Sequence, residues 1–171
     1  MKTITIQSLI AACFLLMTSV GGYAQISKVD IMATGLTCSM CSNAINKQLK
    51  SLSQISNVAT DLNTNTFTIS FNDHQMVNPK VLKDAVEKAG FFVGSMILTL
   101  DPKELAVEHD KTSIGDASYV FMDQKKTKST QYRVVDKGFV TQKEYKKLSK
   151  AYAKHESYSS DNDEVYHIVA L

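Results

Sequence analysis

The sequence predicts an α+β fold whose elements follow the order βαββαβ. Apolar side chains alternate with polar ones in four segments, as on strands with one buried face: residues 27–34, 58–62, 67–71 and 92–100. Apolar residues recur at helical spacing in 39–52 and 79–89. This order is typical of a ferredoxin-like sandwich, in which two helices cover one face of a four-stranded antiparallel sheet.

The first strand and the first helix meet at a glycine. The strand directs one set of apolar residues to one face: Val29, Ile31 and Ala33. Gly35 ends this strand. From residue 39 onward the apolar residues follow helical spacing: Ile45, Leu49 and Leu52. The start of this helix therefore lies close to the end of the first strand.

A hairpin and a second helix complete the predicted sandwich. The polar run 63–66 separates two alternating segments, as a hairpin turn does. Asn78 is a good N-cap, Pro79 suits the first helical turn, and Gly90 is a natural C-terminal stop. The buried stripe of this helix is predicted to be Val81, Leu82, Ala85, Val86 and Ala89.

The pattern changes at Asp101-Pro102, where we place a domain boundary between residues 25–100 and 101–171. Thr141 and Glu144 form a capping-box signature that opens a helix reaching about residue 155. Its buried stripe is predicted to be Tyr145, Leu148 and Tyr152. Alternating segments predict further strands at 105–109, 119–122, 131–135 and 165–171. We expect a small α+β or barrel-like C-terminal domain.

Residues 1–24 have the pattern of a cleavable signal peptide. A basic Lys2 precedes the apolar run 9–20, and small residues stand before a cut at Gln25. The run is too short to span a membrane, so we expect no span in the mature chain. Cys13 offers an alternative lipoprotein site, but an apolar stretch follows it, and we do not favour a lipid anchor. The expected destination is the periplasm or the exterior.

Composition limits the classes of partner. The chain has 171 residues, 44% of them hydrophobic and 21% charged, with a formal charge of +2. Such a balance offers no strong basic field for nucleic acid, and we expect no nucleic-acid partner. Once the leader is removed, two of the three cysteines remain, too few for a disulfide scaffold.

Those two cysteines lie in the segment Gly35-Leu36-Thr37-Cys38-Ser39-Met40-Cys41. Two thiols at this spacing can bind one thiophilic ion or form a disulfide. A helix N-terminus favours the thiolate, the form that binds metal. Soft thiolates select Cu(I) or Zn(II) over Mg²⁺ and Ca²⁺, and a structural zinc site needs four ligands. Two ligands on an exposed loop therefore favour Cu(I), and they would suit Hg(II) equally.

This heptapeptide, within the βαββαβ order, resembles the heavy-metal-associated domain family over residues 27–100. That family includes copper chaperones, N-terminal domains of metal-pumping P-type ATPases and periplasmic mercury-binding proteins. The resemblance implies Cys38 and Cys41 as metal ligands, and a metal-transporting ATPase or another metalloprotein as partner. Leu36 stands where the family has Met, and Phe91 matches its aromatic lid position. The resemblance also implies a non-enzymatic protein that sequesters or transfers a soft ion.

Two other functional classes remain open. The same CxxC at a helix N-terminus would also serve a thiol–disulfide oxidoreductase, although no tryptophan precedes Cys38 and Pro79 starts a helix instead of leading into a strand. Alternatively, the C-terminal part would carry the function, although its sequence shows no Ser/His/Asp spacing. Met40 is a candidate third sulfur ligand. The four histidines lack ligand spacing, and we predict that none binds metal: His74, His109, His155 and His167.

Overall fold

Four strands and two helices form the N-terminal part of the protein in the predicted order. The computed structural model describes residues 26–37, 39–72, 75, 77–100, 107, 110–123, 129–159 and 164–171. The elements of this part are β1 (Ile26–Thr34), α1 (Ser39–Lys50), β2 (Ile55–Asp61), β3 (Thr66–Phe71), α2 (Pro79–Lys88) and β4 (Phe92–Leu100). Their spatial order, β2-β3-β1-β4, with antiparallel pairing throughout, is that of the predicted ferredoxin-like sandwich.

The two helices and the sheet share one hydrophobic core. Ile45 and Leu49 of α1, with Leu82 and Val86 of α2, are fully buried together with the inward side chains of the strands. Asn78 caps α2 as predicted, since its side chain accepts a hydrogen bond from the N–H of Lys80 at 2.9 Å.

The predicted stripe of α2 is wrong at one position. Val81 is exposed, whereas Leu82, Ala85 and Val86 are buried. Successive helical residues are about 100° apart around the axis. Val81 therefore lies at the edge of the buried stripe, next to the solvent-facing side of the helix.

Four further strands and a third helix follow: β5 (Lys111–Ile114), β6 (Ala117–Phe121), β7 (Gln131–Val134), α3 (Gln142–Ala151) and β8 (Val165–Ala170). A short 3-10 helix, Glu156–Ser159, precedes β8. The α+β character agrees with the prediction, and β5 was not predicted. The predicted strand 105–109 lies, except for residue 107, outside the described residues.

These strands continue the first sheet instead of building a sheet of their own. β7 pairs antiparallel with β4 through the partners Ile97–Arg133, Leu98–Tyr132 and Thr99–Gln131. The sheet of eight strands therefore runs β2-β3-β1-β4-β7-β8-β6-β5, with only β6 and β8 parallel among its neighbours. The boundary predicted at residues 101–102 falls outside the described residues and stays a prediction.

Helix α3 begins as predicted but is less deeply packed. Thr141 accepts a hydrogen bond from the N–H of Glu144 at 3.3 Å, and the carboxylate of Glu144 pairs with Arg133 at 2.6 Å. None of the helix residues is fully buried; the predicted stripe of Tyr145, Leu148 and Tyr152 is half-buried.

Within the described residues, no helix combines the length and apolar character needed to cross a membrane.

Candidate metal site

The predicted metal-binding segment connects β1 to α1 at one end of the sheet. Gly35, the first residue after β1, has a φ of +89°, a conformation that side chains strongly disfavour. A Cβ built on it would lie 3.9 Å from Cδ1 of Phe91. The backbone of the segment therefore passes directly beside the aromatic ring.

Cys41 is the third residue of α1 and is half-buried. This places it in the first helical turn, as predicted, near the positive end of the helix dipole. Cys38 lies outside the described residues. The structure therefore locates one of the two predicted ligands, and the pairing of the two sulfurs stays a prediction.

The neighbours of the cysteines divide into supporting and exposed residues. Leu36 is half-buried and packs against the core. Thr37 is exposed. Met40 is 78% exposed. No contact assigns it to a metal, and its candidacy as a third sulfur ligand remains open.

Phe91 is half-buried and belongs to the residues packed against the core. It lies beside Gly35, and its predicted role as a lid over the cysteines stays a prediction. Phe92, which pairs with Thr34 at the start of β4, is 67% exposed on the same end of the sheet.

A β-bulge fixes the end of β1 from which this segment departs. The register between β1 and β4 shifts from Met32–Ser95 to Ala33–Val93, which leaves Gly94 as the extra residue. A Cβ on Gly94 would lie 2.5 Å from Cγ2 of Thr34 and 3.2 Å from Cε of Met32. Glycine is therefore required at this position for Thr34 to pack closely against β4.

A second polar cluster, absent from the sequence-based predictions, lies in the C-terminal part. His167 of β8 is only 2% exposed. Its Nδ1 lies 2.7 Å from Oδ1 of Asp136, and its Nε2 lies 2.9 Å from Oγ of Ser157. The same hydroxyl lies 3.1 Å from Nδ1 of His155. The sequence of this part shows no Ser/His/Asp spacing, but the fold brings Asp136, His167 and Ser157 together.

Sequence reasoning missed this cluster because the fold, and not a local motif, brings its members together. Asp136 follows β7, Ser157 belongs to the 3-10 helix and His167 to β8, which pairs with β7. Their order and spacing match no local signature. His74 and His109 lie outside the described residues. Within the described part of the chain, no group of three or more His, Cys, Asp or Glu residues could hold a metal ion.

The comparison with family models matches the N-terminal part of the chain. Residues 30–92 match the model of the heavy-metal-associated domain. The yeast copper transporter domain Ccc2a is 31% identical over 37% of this chain and 86% of its own, with a TM-score of 0.34. The N-terminal domain of a potential copper-translocating P-type ATPase from Bacillus subtilis is 30% identical over 37% of this chain and 79% of its own, with a TM-score of 0.34. A search of curated proteins gives no match.

Proposed function

We propose that this chain is an exported protein that binds one soft metal ion through Cys38 and Cys41 and transfers it to another metalloprotein. Its residues 30–92 match the heavy-metal-associated domain. The expected ion is Cu(I), and Hg(II) and Zn(II) are the alternatives. A metal-transporting ATPase is one expected class of partner. The observation that carries the proposal is Cys41 in the first turn of α1, directly after a segment built around Gly35.

Ligand chemistry supports a soft monovalent ion. Two thiolates suit Cu(I) because it accepts soft sulfur donors, whereas a closed zinc site requires four ligands. The described residues around Cys41 contribute no cluster of three or more His, Cys, Asp or Glu side chains to complete such a site. An incomplete shell leaves room for the thiols of a partner.

The surface around the segment supports transfer. Large apolar side chains are exposed at this end of the sheet: Met40, Phe92 and Leu62. The turn that contains Leu62 is held against β1, since the N–H of Ala33 donates to the carbonyl of Asn65 at 3.0 Å. We propose that a partner approaches this end of the sheet over these side chains. Binding and release of an ion at this surface need no catalytic step.

Native mass spectrometry of the mature chain, reduced and free of oxygen, tests the proposal. We expect one copper per chain after loading with Cu(I), and none retained by the Cys38→Ser/Cys41→Ser double variant. Ser39→Ala is the matched control, because Ser39 lies between the cysteines and is exposed; it should bind like the wild type. Copper retained by the double variant at full stoichiometry contradicts the proposal.

A thiol–disulfide oxidoreductase is the second candidate, since Cys41 lies at a helix N-terminus, as in such enzymes. The placement of Pro79 disfavours it. Pro79 begins α2, whereas Phe91, which borders the cysteine segment, follows the other end of this helix. The ten residues of α2 separate its two ends by about 15 Å, so Pro79 lies far from Phe91. Reduction of insulin at the rate of a known oxidoreductase would revive this alternative.

A further inference from the structure

The cluster of Asp136, His167 and Ser157 has the connectivity of an activated nucleophile. Asp136 Oδ1 lies 2.7 Å from Nδ1 of His167, and Nε2 of the same ring lies 2.9 Å from Oγ of Ser157. A hydroxyl within hydrogen-bond reach of an imidazole, which a carboxylate in turn orients, is the arrangement that activates serine for attack on acyl groups.

The protonation of the imidazole follows from its partners. A carboxylate only accepts hydrogen bonds, so Nδ1 of His167 carries a proton and donates a hydrogen bond to Asp136. In the neutral imidazole, Nε2 then carries the lone pair and accepts a hydrogen bond from the Ser157 hydroxyl. The His155 tautomer with its proton on Nδ1 would donate to the same oxygen, 3.1 Å away. Nε2 of His167 is then the atom that would accept the proton of the Ser157 hydroxyl.

The base is held rigidly. Asp136 also accepts a hydrogen bond from the backbone N–H of His167, at 2.6 Å from its second carboxylate oxygen. The ring of Tyr158 lies 5.0 Å from that of His167, and the Tyr158 hydroxyl donates to the carbonyl of Val135 at 2.6 Å. The carboxylate of Asp136 accepts both hydrogen bonds and so fixes the backbone and the ring of His167. Asp136 is therefore a positioning residue.

The nucleophile opens to solvent while its base is buried. Ser157 and His155 line a surface cavity of about 570 Å³ together with Asp110, Lys111 and Lys154. His167 is 2% exposed, whereas Ser157 lines the cavity. Lys111 and Lys154 place positive charge in the lining of this cavity. Positive charge close to a developing oxyanion stabilises it.

We propose that Ser157 is the nucleophile of a second, hydrolytic site that cleaves small carboxylic esters. Ser157 Oγ attacks the carbonyl carbon while its proton passes to Nε2 of His167. Collapse of the tetrahedral adduct breaks the ester C–O bond, and the leaving alcohol takes that proton. Water then attacks the acyl-serine, giving one proton to His167, which returns it to Ser157 Oγ as the acid is released. The net reaction is ester plus water to carboxylic acid plus alcohol.

The direct test is labelling of the full mature chain with a fluorophosphonate, which reacts with activated serines, followed by peptide mapping. We expect one adduct per chain, at Ser157, formed as fluoride leaves and the hydroxyl proton passes to His167. Labelling should vanish in Ser157→Ala and persist unchanged in Ser149→Ala. Ser149 is the matched control, because its hydroxyl donates to the carbonyl of Lys146 at 3.3 Å and takes no part in the cluster.

Hydrolysis of p-nitrophenyl acetate separates chemistry from packing. His167→Gln should lower kcat by at least about 100-fold, the usual contribution of a general base. Asp136→Asn should lower kcat with KM unchanged, and Asp136→Glu should restore part of it, a pattern that loss of packing alone does not produce. A folded wild-type chain without an adduct at Ser157 overturns the proposal, as does a folded Ser157→Ala chain that hydrolyses the ester at the wild-type rate.

Discussion

The β-bulge at Gly94 offers a test of how the sheet holds the cysteine segment. In Gly94→Ala, the new Cβ would meet Cγ2 of Thr34 at 2.5 Å. Carbon atoms pack at about 3.5–4.0 Å, so the overlap is about 1 Å or more. Rotation of Thr34 would relieve the overlap, but it would break the hydrogen bond from its hydroxyl to the carbonyl of Phe92 at 3.3 Å. The alternative is a shift of the backbone that leads into Gly35.

Overpacking of this kind costs about 1–3 kcal/mol of unfolding free energy. Thr34→Ser removes the methyl group that collides and keeps the hydroxyl. Alone it should cost less than about 1 kcal/mol, since it deletes one partly exposed methyl group. In the double variant, we expect about 1–2 kcal/mol of the Gly94→Ala cost to be recovered, a coupling typical of residues in contact.

Urea unfolding of the mature chain, followed by circular dichroism, measures these differences. Ser95→Ala, at the next position of β4, is the control and should stay within about 0.5 kcal/mol of the wild type. If Gly94→Ala is as stable as the control, or if Thr34→Ser recovers nothing, the bulge does not constrain the cysteine segment.

Two further predictions concern buried tyrosines. Tyr166 of β8 donates a hydrogen bond to the side chain of Asn78, the N-cap of α2. Tyr166→Phe should therefore cost about 0.5–1.5 kcal/mol in urea unfolding, and much less in an Asn78→Ala background; equal costs in both backgrounds would show that the two residues act independently. Burial raises the pKa of Tyr119 far above its usual value of 10.0. Its contribution to stability is complete below about pH 10, the unfolded pKa, because neither state is ionised there. It falls by about 1 kcal/mol by pH 11, because only the unfolded chain then ionises. Tyr119→Phe should flatten this fall between pH 9 and 11, and an unchanged slope would contradict the assignment.

The N-terminal sandwich could be predicted from sequence because its signals are local. Alternation in the strands and the Asn78-Pro79 start of α2 each depend on neighbouring residues, and the structure reproduces them with small shifts at the ends. Gly35 likewise predicted the end of β1, where the residue has a φ of +89°. The position of Cys41 in the first helical turn follows directly from these elements.

The relation between the two parts of the chain could not be predicted in this way. The pairing of β7 with β4 joins residues more than thirty positions apart, such as Leu98 and Tyr132, and strand patterns do not specify distant partners. The alternating pattern of β4 fits an inner strand as well as an edge strand, so nothing local indicated that the sheet continues. The Asp136–His167–Ser157 cluster depends on the same long-range pairing.

Competition for Cu(I) between the reduced mature chain and a chromophoric chelator tests the central claim most directly. We predict that the wild type removes one equivalent of Cu(I) from the chelator, and that Cys38→Ser/Cys41→Ser removes none while it unfolds at the same urea concentration. Equal withdrawal of copper by the wild type and the double variant would contradict the assignment of the thiol pair as the metal site.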